Sequence, residues 1–421
     1  MSENLLSLVN ELSQLASSYV PSTGHDAASL APKAALVNLS KKIMYSLMDP
    51  GMMVQAHSLQ MAELVSVRTL LDFKVFEKMP AEEGKTISAK ELSEVSGVQD
   101  VLLERLLRPL VASGFITQSP EDGSYGCTKF SQAYTSFPGM FFTLMFDHFL
   151  QPMTDLPKYL AKHGAVEPTS FYVNPYSDYH NASDSGLTTW EIMSKDPEKL
   201  KTFQLGLKMG DNLVPVIGYY DFNQLALTEE ELQTNPDRAA LVDIGGGVGN
   251  TVKKVLDEYK ELTPKNVVLQ DQKEIIAMAE KEKIAPEGIK LMEHDFWTEQ
   301  PVKGAKAYYF RRVFHDYSDE LCAKALNQII PAMVQDSRIL IADMLIPEIM
   351  TDKEAHTAAL DVACMVMGGK ERTEADFRKL FDSVGLEVVK IHRAPEVAAG
   401  VVEGKLKPVN EANGTNGTNG P

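Results

Sequence analysis

Cysteine is scarce in this sequence: the 421 residues include Cys127, Cys322 and Cys364, which lie far apart and form no C-x-x-C pair. Such spacing suggests neither a disulfide framework nor a structural zinc site. A reducing compartment is therefore expected.

Positive charge is also in short supply, because 41 Lys and Arg stand against 58 Asp and Glu, a formal net charge of −17. Binding to nucleic acid or to an anionic membrane surface needs a basic footprint, which this chain lacks. Neither partner is expected, and a small-molecule partner fits the composition better.

Long hydrophobic runs are missing as well, since no uninterrupted apolar stretch reaches the roughly 18 to 20 residues of a membrane span. The start, MSENLLSLVNELSQLASSYV, contains Glu3 and Glu11 and no basic segment of the kind that opens a secretory signal. A cytoplasmic location is expected. Residues 408–421 include the low-complexity stretch NEANGTNGTNGP and are predicted to be disordered.

The chain is long and apolar enough for two domains, because 44% of its residues are hydrophobic. Residues 1–135 are predicted to form an N-terminal helical and winged-helix dimerisation domain. Leu5, Leu8 and Leu12 fall on one stripe at helical spacing. Such an amphipathic helix needs a partner surface, either on its own chain or on a second subunit.

A winged helix-turn-helix is indicated by two helices over residues 88–96 and 100–113, followed by two short strands around SPEDGSYG. In a DNA-binding protein the second helix would offer Arg, Lys, Asn or Gln to the groove. Here the second helix carries two acidic and two basic residues, which are Asp100, Glu104, Arg105 and Arg108. A structural or dimerisation module is therefore favoured over a DNA-binding regulator.

Residues 136–235 are predicted to form a helical connector, in which aromatic side chains are numerous. Most aromatic residues belong to ordinary cores, but a few could line an apolar pocket for a flat ligand. Trp190 is a candidate for that pocket.

Residues 236–407 alternate short apolar strands with helices. Strands are predicted at 240–244, 266–269, 289–292, 307–311, 338–346 and 386–392. This alternation is typical of an α/β domain with a Rossmann-like, doubly wound parallel sheet, which binds its ligand at the carboxyl ends of the strands.

The stretch LVDIGGGVGN, residues 241–250, ends an apolar strand in an acid and places four glycines within five residues. Strand, glycine turn and helix form a nucleotide-binding arrangement, in which the ligand approaches the backbone closely. A nucleoside triphosphate site would need Gly-Lys-Ser/Thr, but Gly249 is followed by Asn250. The dinucleotide-binding pattern G-x-G-x-x-G is also incomplete, because counting from Gly245 puts Asn250 at the position of the third glycine.

Asp243, two residues before the first glycine, would repel a pyrophosphate and attract a cationic ligand. S-adenosylmethionine fits this requirement, because it carries an ammonium and a sulfonium and no phosphate. Its ribose needs an acceptor at the end of the second strand, where Asp271 stands. After the third strand, Asp295 could accept from the adenine amine and Phe296 could cover the base. S-adenosylmethionine is therefore the expected cofactor.

Five motifs occur along the chain in the order DIGGGVGN, HDF, RRVFHDYSDE, ADMLIPE and GGKERTEADF. In this order they resemble the small-molecule O-methyltransferases of the plant caffeate and flavonoid type and their fungal secondary-metabolism relatives. The resemblance runs from the winged-helix region to about Lys407, and it implies a homodimer that uses no metal and has His315 as its catalytic base. It also implies cofactor contacts from Gly245, Gly246, Gly247, Asp271, Asp295, Phe296 and Arg311.

The chain departs from the family pattern at three places. It has Asp271-Gln-Lys where the family often has Asp-Leu-Pro, Arg311 where plant members have lysine, and Asp343 where glutamate is usual. The substitution at Asp343 shortens a side chain next to the base.

His315 follows a predicted strand and should lie at the mouth of the sheet. Passing a proton from a phenol to an unperturbed imidazole costs about 5 kcal/mol, from a pKa gap of roughly 3.5 units. The resemblance puts Asp343 and Glu371 against the ring, where they would fix its tautomer and raise its pKa. Asp316 and Asp319 are interpreted as acids at a helix N-terminus.

Met365 and Met367 precede the Gly368-Gly369 turn and are candidate pocket residues, because polarizable thioethers can sandwich an aromatic acceptor. The predicted function is methyl transfer from S-adenosylmethionine to a hydroxyl of an aromatic or polyketide-like small molecule. The alternative is a pericyclase or dehydratase on the same fold, since some fungal relatives catalyse such reactions. A complete set of His315, Asp343 and Glu371 favours methyl transfer.

Overall fold

The structure is a computed structural model that describes residues 5–21, 27–197, 200, 202–203, 214–351, 354–395 and 397–408. Its contacts divide the chain into two compact units, one ending at Thr143 and the other beginning at Leu144. The finer divisions expected at residues 135 and 235 remain predictions. The predicted disordered tail lies outside the described residues, apart from Pro408.

The first unit is mostly helical. Its helices are Leu5–Ser18 (α1), Ala27–Leu47 (α2), Pro50–Asp72 (α3), Val75–Lys78 (α4), Ala89–Ser96 (α5), Asp100–Ala112 (α6) and Lys129–Tyr134 (α7). Its strands are Ile116–Gln118 (β1) and Tyr125–Cys127 (β2), which pair antiparallel. The order of α5, α6, β1 and β2 is that of the predicted winged helix.

Local signals explain why α5 and α6 form where they do. Ser88 and Glu91 make a capping box at the start of α5, and Gly97 ends that helix in the left-handed region at φ 75°. On the outer face of α6, Arg108 pairs with Glu104 at 3.4 Å. In a DNA-binding helix, an arginine such as Arg108 would instead contact a phosphate or the edge of a nucleobase.

The second unit begins within the helical segment that follows α7. The boundary falls in the helix Phe137–Leu144 (α8), of which only Leu144 belongs to this unit. The helical elements that follow are the π-helix Met145–Leu150, Gln151–His163 (α9), Pro175–Tyr179 (α10), Thr189–Ser194 (α11), Glu229–Thr234 (α12), Asn250–Glu258 (α13), Lys273–Glu282 (α14), Asp319–Ile329 (α15), Ala355–Val366 (α16) and Glu374–Ser383 (α17). Short 3-10 turns lie at Phe222–Leu225, Pro264–Asn266, Phe314–Asp316 and Ile330–Ala332.

One mixed sheet organises this unit. Its strands are Leu241–Ile244 (β3), Val267–Asp271 (β4), Lys290–Glu293 (β5), Ala307–Arg311 (β6), Arg338–Ile346 (β7), Arg372–Thr373 (β8), Leu386–Arg393 (β9) and Ala399–Leu406 (β10). The order is β5-β4-β3-β6-β7-β10-β9, and β8 pairs with the end of β7. Strands β3 to β7 run parallel, so their carboxyl ends share one edge.

The predicted α/β architecture is confirmed, but the sheet is mixed rather than parallel, because β10, which was not predicted, is antiparallel to both β7 and β9. Its segment contains Gly400 and Gly404, which weaken the local signal for a strand. Tertiary packing requires both glycines to be small, because a Cβ at Gly404 would lie 2.2 Å from the Phe381 ring and one at Gly400 would lie 2.6 Å from Leu345.

The core lies on both faces of this sheet. One face packs Val242, Tyr308, Phe310 and Ile341, and the other packs Leu241, Tyr309 and Leu340, with α15 and α17 contributing apolar residues to the first face and α13 to the second. Among the described residues, no helix is both long and apolar enough to cross a membrane.

Candidate active site

The glycine turn after β3 packs tightly against Asp243 and Leu269 at Gly246, and has open space at Gly247. The N–H groups of Gly245 and Gly246 donate to the carbonyl oxygen of Gln270 at 2.9 and 3.2 Å. A Cβ at Gly246 would come within 2.4 Å of both Asp243 Oδ2 and Leu269 Cδ1, so this position must be glycine. At Gly247, φ is 61° and a Cβ would meet no heavy atom within 4 Å. The open side is where a ligand could approach the backbone.

Asp271 joins the end of β4 to this turn. Its Oδ2 accepts from the Gly247 N–H at 2.8 Å, and its Oδ1 accepts from the Gln272 N–H at 2.7 Å. Burial raises the pKa of Asp271, although these two hydrogen bonds oppose the shift. Each carboxylate oxygen has two lone pairs, so Asp271 can still accept hydrogen bonds from ribose hydroxyls.

Asp243 is a fully buried carboxyl group beneath the turn, and neither of its oxygens has a hydrogen-bond partner among the described residues. Burial raises its pKa to about 7, and the charge of Arg311 acts in the opposite direction. Arg311, at the end of β6, donates from Nη2 to the carbonyl oxygen of Val214. A buried acid without a partner favours a cationic ligand nearby.

Asp295 and Phe296 follow β5 at the same edge of the sheet. Asp295 is exposed, and its Oδ1 accepts from the Trp297 N–H at 3.1 Å, which stabilises the turn. The ring of Phe296 packs with its centroid 4.8 Å from that of Trp297 and 6.2 Å from that of Phe310. Both predicted adenine contacts therefore also have a local structural role.

His315 lies in the 3-10 turn after β6 and is buried. Its Nδ1 is 3.0 Å from Glu371 Oε1, and its Nε2 is 3.6 Å from Asp316 Oδ1. Burial opposes the charged imidazole, but Asp316, Cys364 and Glu371 favour it and hold the pKa of His315 well above its ordinary value. Pairing at Nδ1 favours the tautomer that leaves Nε2 free to accept a proton.

The two acids expected against the ring occupy different positions. Glu371 contacts the ring, and although burial raises the pKa of its carboxyl group, the His315 charge brings that pKa below its ordinary value. Neither oxygen of Asp343 has a hydrogen-bond partner among the described residues. Burial raises the pKa of Asp343 to about 7. The chain has Asp here where the family usually has the longer Glu, and this shorter carboxyl group makes no hydrogen bond to the ring.

Two neighbours of His315 were not predicted. Asp316, interpreted from the sequence as a helix N-terminal acid, lies beside Nε2, and burial raises its pKa. Cys364, near the end of α16, has its Sγ 3.4 Å from His315 Nδ1 and 3.8 Å from Glu371 Oε1. The sequence could have indicated Asp316 as a neighbour of the ring, because it follows His315 directly in the motif HDY. No local pattern marks Cys364.

The donor atoms of His315, Cys364 and Glu371 lie within 4.8 Å of one another, which is close enough for a metal ion. Imidazole, thiolate and carboxylate are all used by transition-metal sites. The absence of a metal therefore remains a prediction.

Arg372, fully buried in β8, holds the turn that carries His315. Its guanidinium donates to the carbonyl oxygens of Phe314 and Tyr317 and to Asp319 Oδ1, each at 2.7 Å. Gly369 presses against the same turn, since a Cβ there would lie 2.1 Å from the carbonyl oxygen of His315. The motif GGKERT thus positions His315 through its backbone as well as through Glu371.

The predicted pocket residues fall around this turn. Trp190 donates from Nε1 to Tyr317 Oη at 3.0 Å, two residues beyond His315. Met365 is half-buried next to Cys364, and Met367 is buried, with its carbonyl oxygen accepting from Asn174 Nδ2 at 3.2 Å. All three stay candidates for acceptor contact.

Comparison with known proteins supports the resemblance drawn from the motifs. Residues 175–387 match the O-methyltransferase domain. The methyltransferase pynC of Aspergillus niger is 34% identical over 82% of this chain and 94% of its own length. The O-methyltransferase hmp5 of Hypomyces subiculosus is 33% identical over 79% of this chain and 82% of its own. The chain belongs to the family of S-adenosylmethionine-dependent O-methyltransferases, and these relatives are fungal.

Solved structures agree in fold. OxaC in complex with S-adenosylhomocysteine and oxaline is 29% identical, with a TM-score of 0.83 over 96% of this chain and 99% of that one. LepI in complex with S-adenosylmethionine is 23% identical, with a TM-score of 0.78 over the same shares. A pericyclic reaction enzyme has the same identity and TM-score. At 23% identity the likeness concerns the fold alone.

Proposed function

We propose that this protein transfers a methyl group from S-adenosylmethionine to a hydroxyl of an aromatic or polyketide-like small molecule, with His315 as the general base. The observation that carries the proposal is the buried His315, paired with Glu371 at Nδ1, at the same strand edge as the glycine turn. OxaC binds S-adenosylhomocysteine, and it is similar over nearly the whole chain.

The residues around the glycine turn fit this cofactor. Asp243 offers a buried negative charge to a cation, Asp271 has lone pairs for ribose hydroxyls, and Gly247 leaves space above the turn. Gly245 and Gly246 bring the backbone close, while Asp295 and Phe296 follow β5 and Arg311 ends β6. S-adenosylmethionine supplies the methyl group, whose bond to sulfur breaks as its bond to the acceptor oxygen forms.

His315 removes the proton that would make the acceptor oxygen a poor nucleophile. The hydroxyl proton passes to Nε2, while Glu371 at Nδ1 stabilises the resulting imidazolium. The charge of Asp316 also favours the imidazolium, and the His315 charge in turn favours the ionised form of Asp343. The imidazolium then returns its proton to solvent after the methyl ether leaves.

Product stoichiometry tests this function. Incubation with labelled S-adenosylmethionine and a panel of phenolic metabolites should yield one adenosylhomocysteine for each product molecule. A pericyclase or dehydratase would consume no S-adenosylmethionine, because its bound cofactor contributes only charge. A ratio far below one for a converted substrate would contradict methyl transfer and support that alternative.

We also propose a homodimer formed by the first unit. Helices α2 and α3 expose large apolar side chains, among them Leu47, Val54, Leu59 and Met61, the last three at 68% to 70% of their full exposure. Exposed apolar surface of this extent marks an interaction site, and most oligomers pair identical subunits.

Light scattering tests the dimer. The full-length protein should have twice the monomer mass at micromolar concentration, and Leu59→Lys with Met61→Lys should shift it towards monomer. Val166→Lys is the matched control, because Val166 is equally exposed at 68% but lies in the second unit. A monomeric parent protein would contradict the proposal.

A further inference from the structure

Two successive arginines lie at the carboxyl end of β6 and act on different groups. Arg311 donates to the carbonyl oxygen of Val214, and its charge acts on Asp243 beneath the glycine turn. Arg312 follows it just past the strand, three residues before His315. The function proposed above assigns a role to Arg311 and none to Arg312.

The backbone of Arg312 adopts an uncommon conformation. Its φ is 55°, in the left-handed region, and its N–H donates to the carbonyl oxygen of Ala342 at 2.9 Å. Lys74 and Lys283 share this sign of φ, but they stand at helix ends, where it is usual. Non-glycine residues held in this region cluster at functional sites, because the surrounding structure must compensate for the strain.

The charge of Arg312 acts on the ionisable groups around His315. Its contact with Ala342 places it beside Asp343, the next residue of β7. Burial is the largest influence on the pKa of Asp343, Asp316 and Glu371 and raises each, and the Arg312 charge acts in the opposite direction on all three. Its charge also opposes protonation of His315. The guanidinium therefore belongs to the same cluster.

One nitrogen of this guanidinium has unmet hydrogen-bonding capacity. Arg312 Nη1 is buried and has no hydrogen-bond partner among the described residues. The other arginine near the turn, Arg372, differs in that its guanidinium donates to Phe314, Tyr317 and Asp319. A buried charged donor without a partner is unfavourable, and an oxygen of a bound ligand would satisfy it.

We propose that Arg312 binds an oxygen of the acceptor, and that the acceptors carry a carbonyl or carboxylate oxygen beside the reacting hydroxyl. This inference rests on the proposed function. His315 takes the hydroxyl proton, and the negative charge left on the acceptor is stabilised by the guanidinium through the neighbouring oxygen. The planar fork of arginine suits two adjacent oxygens better than a lysine ammonium does.

Calorimetry with two isomeric probes tests this proposal at saturating S-adenosylhomocysteine. Salicylate has its carboxylate beside the hydroxyl, whereas 4-hydroxybenzoate has the same charge and size with the two groups apart. The parent protein should bind salicylate about ten-fold or more tightly than 4-hydroxybenzoate. Arg312→Gln should remove most of this preference, and Arg312→Lys should retain part of it, both with unchanged S-adenosylhomocysteine affinity.

Arg393→Gln is the control, because Arg393 is exposed and pairs with Glu374 away from this cluster. That variant should bind both probes as the parent does. Equal affinity of the parent for the two isomers, no binding of either, or an unchanged preference in Arg312→Gln would overturn the role of Arg312. Failure of the parent to bind S-adenosylhomocysteine would instead contradict the proposed function, on which the inference depends.

Discussion

His315→Ala is expected to lose about two to four orders of magnitude in turnover, the usual contribution of a general base. Its affinity for S-adenosylmethionine should be nearly that of the parent, because the imidazole contacts Glu371 and Asp316 and none of the residues around the glycine turn. Turnover with an identified acceptor and calorimetry with the cofactor measure the two effects separately. A variant that keeps full turnover would exclude His315 as the base.

His392→Ala is a matched control for this result. His392 also pairs with a carboxylate, with its Nε2 2.9 Å from Glu403 Oε2, but it lies on β9, away from the glycine turn. Its loss should affect stability and leave turnover per folded molecule unchanged. Equal losses of turnover in both variants would point to general destabilisation.

The pH profile adds a second test of the same residue. The base must be neutral, and the pKa of His315 lies well above its ordinary value of about 6.5. Catalytic efficiency, kcat/KM, should therefore rise with pH through neutrality and level off only above that elevated pKa. In His315→Ala this rise should be replaced by one that follows ionisation of the acceptor, because an acceptor ionised by solvent no longer needs a base.

Asp271→Ala is expected to weaken S-adenosylmethionine binding by about 1 to 3 kcal/mol, through loss of charge-assisted hydrogen bonds to the ribose. The substitution also leaves the N–H groups of Gly247 and Gln272 without their acceptor, which adds disorder in the glycine turn. Calorimetry measures the loss, and NAD should show no specific binding to the parent protein.

Asp257→Ala controls for removal of one negative charge near the same turn. Asp257 lies on α13, is exposed and pairs with Lys253 at 3.4 Å. Its cofactor affinity should equal that of the parent. Tight NAD binding with no binding of S-adenosylmethionine would refute the cofactor assignment.

The strands and the glycine turn were predictable because their signals are local. Strands β3, β4, β5, β6, β7 and β9 were each predicted to within two residues of their observed ends, since each is a short apolar run bounded by turns. The glycine motif includes Gly246 because Asp243 and Leu269 leave no space for a side chain at this position. Strand β10 was not predicted, because its two glycines weaken the local signal and the strand forms by pairing with β7 and β9.

The sequence alone therefore determined the family, the α/β architecture and the set of candidate residues at the strand ends, because each depends on residues close together in the chain. Tertiary structure decided which of them meet. Glu371 reaches Nδ1 of His315 from 56 positions away, whereas Asp343 makes no hydrogen bond there. Cys364 and Arg312 join the cluster through the docking of α16 and through a left-handed backbone turn. Such contacts depend on how whole elements pack, and local propensity does not encode that packing.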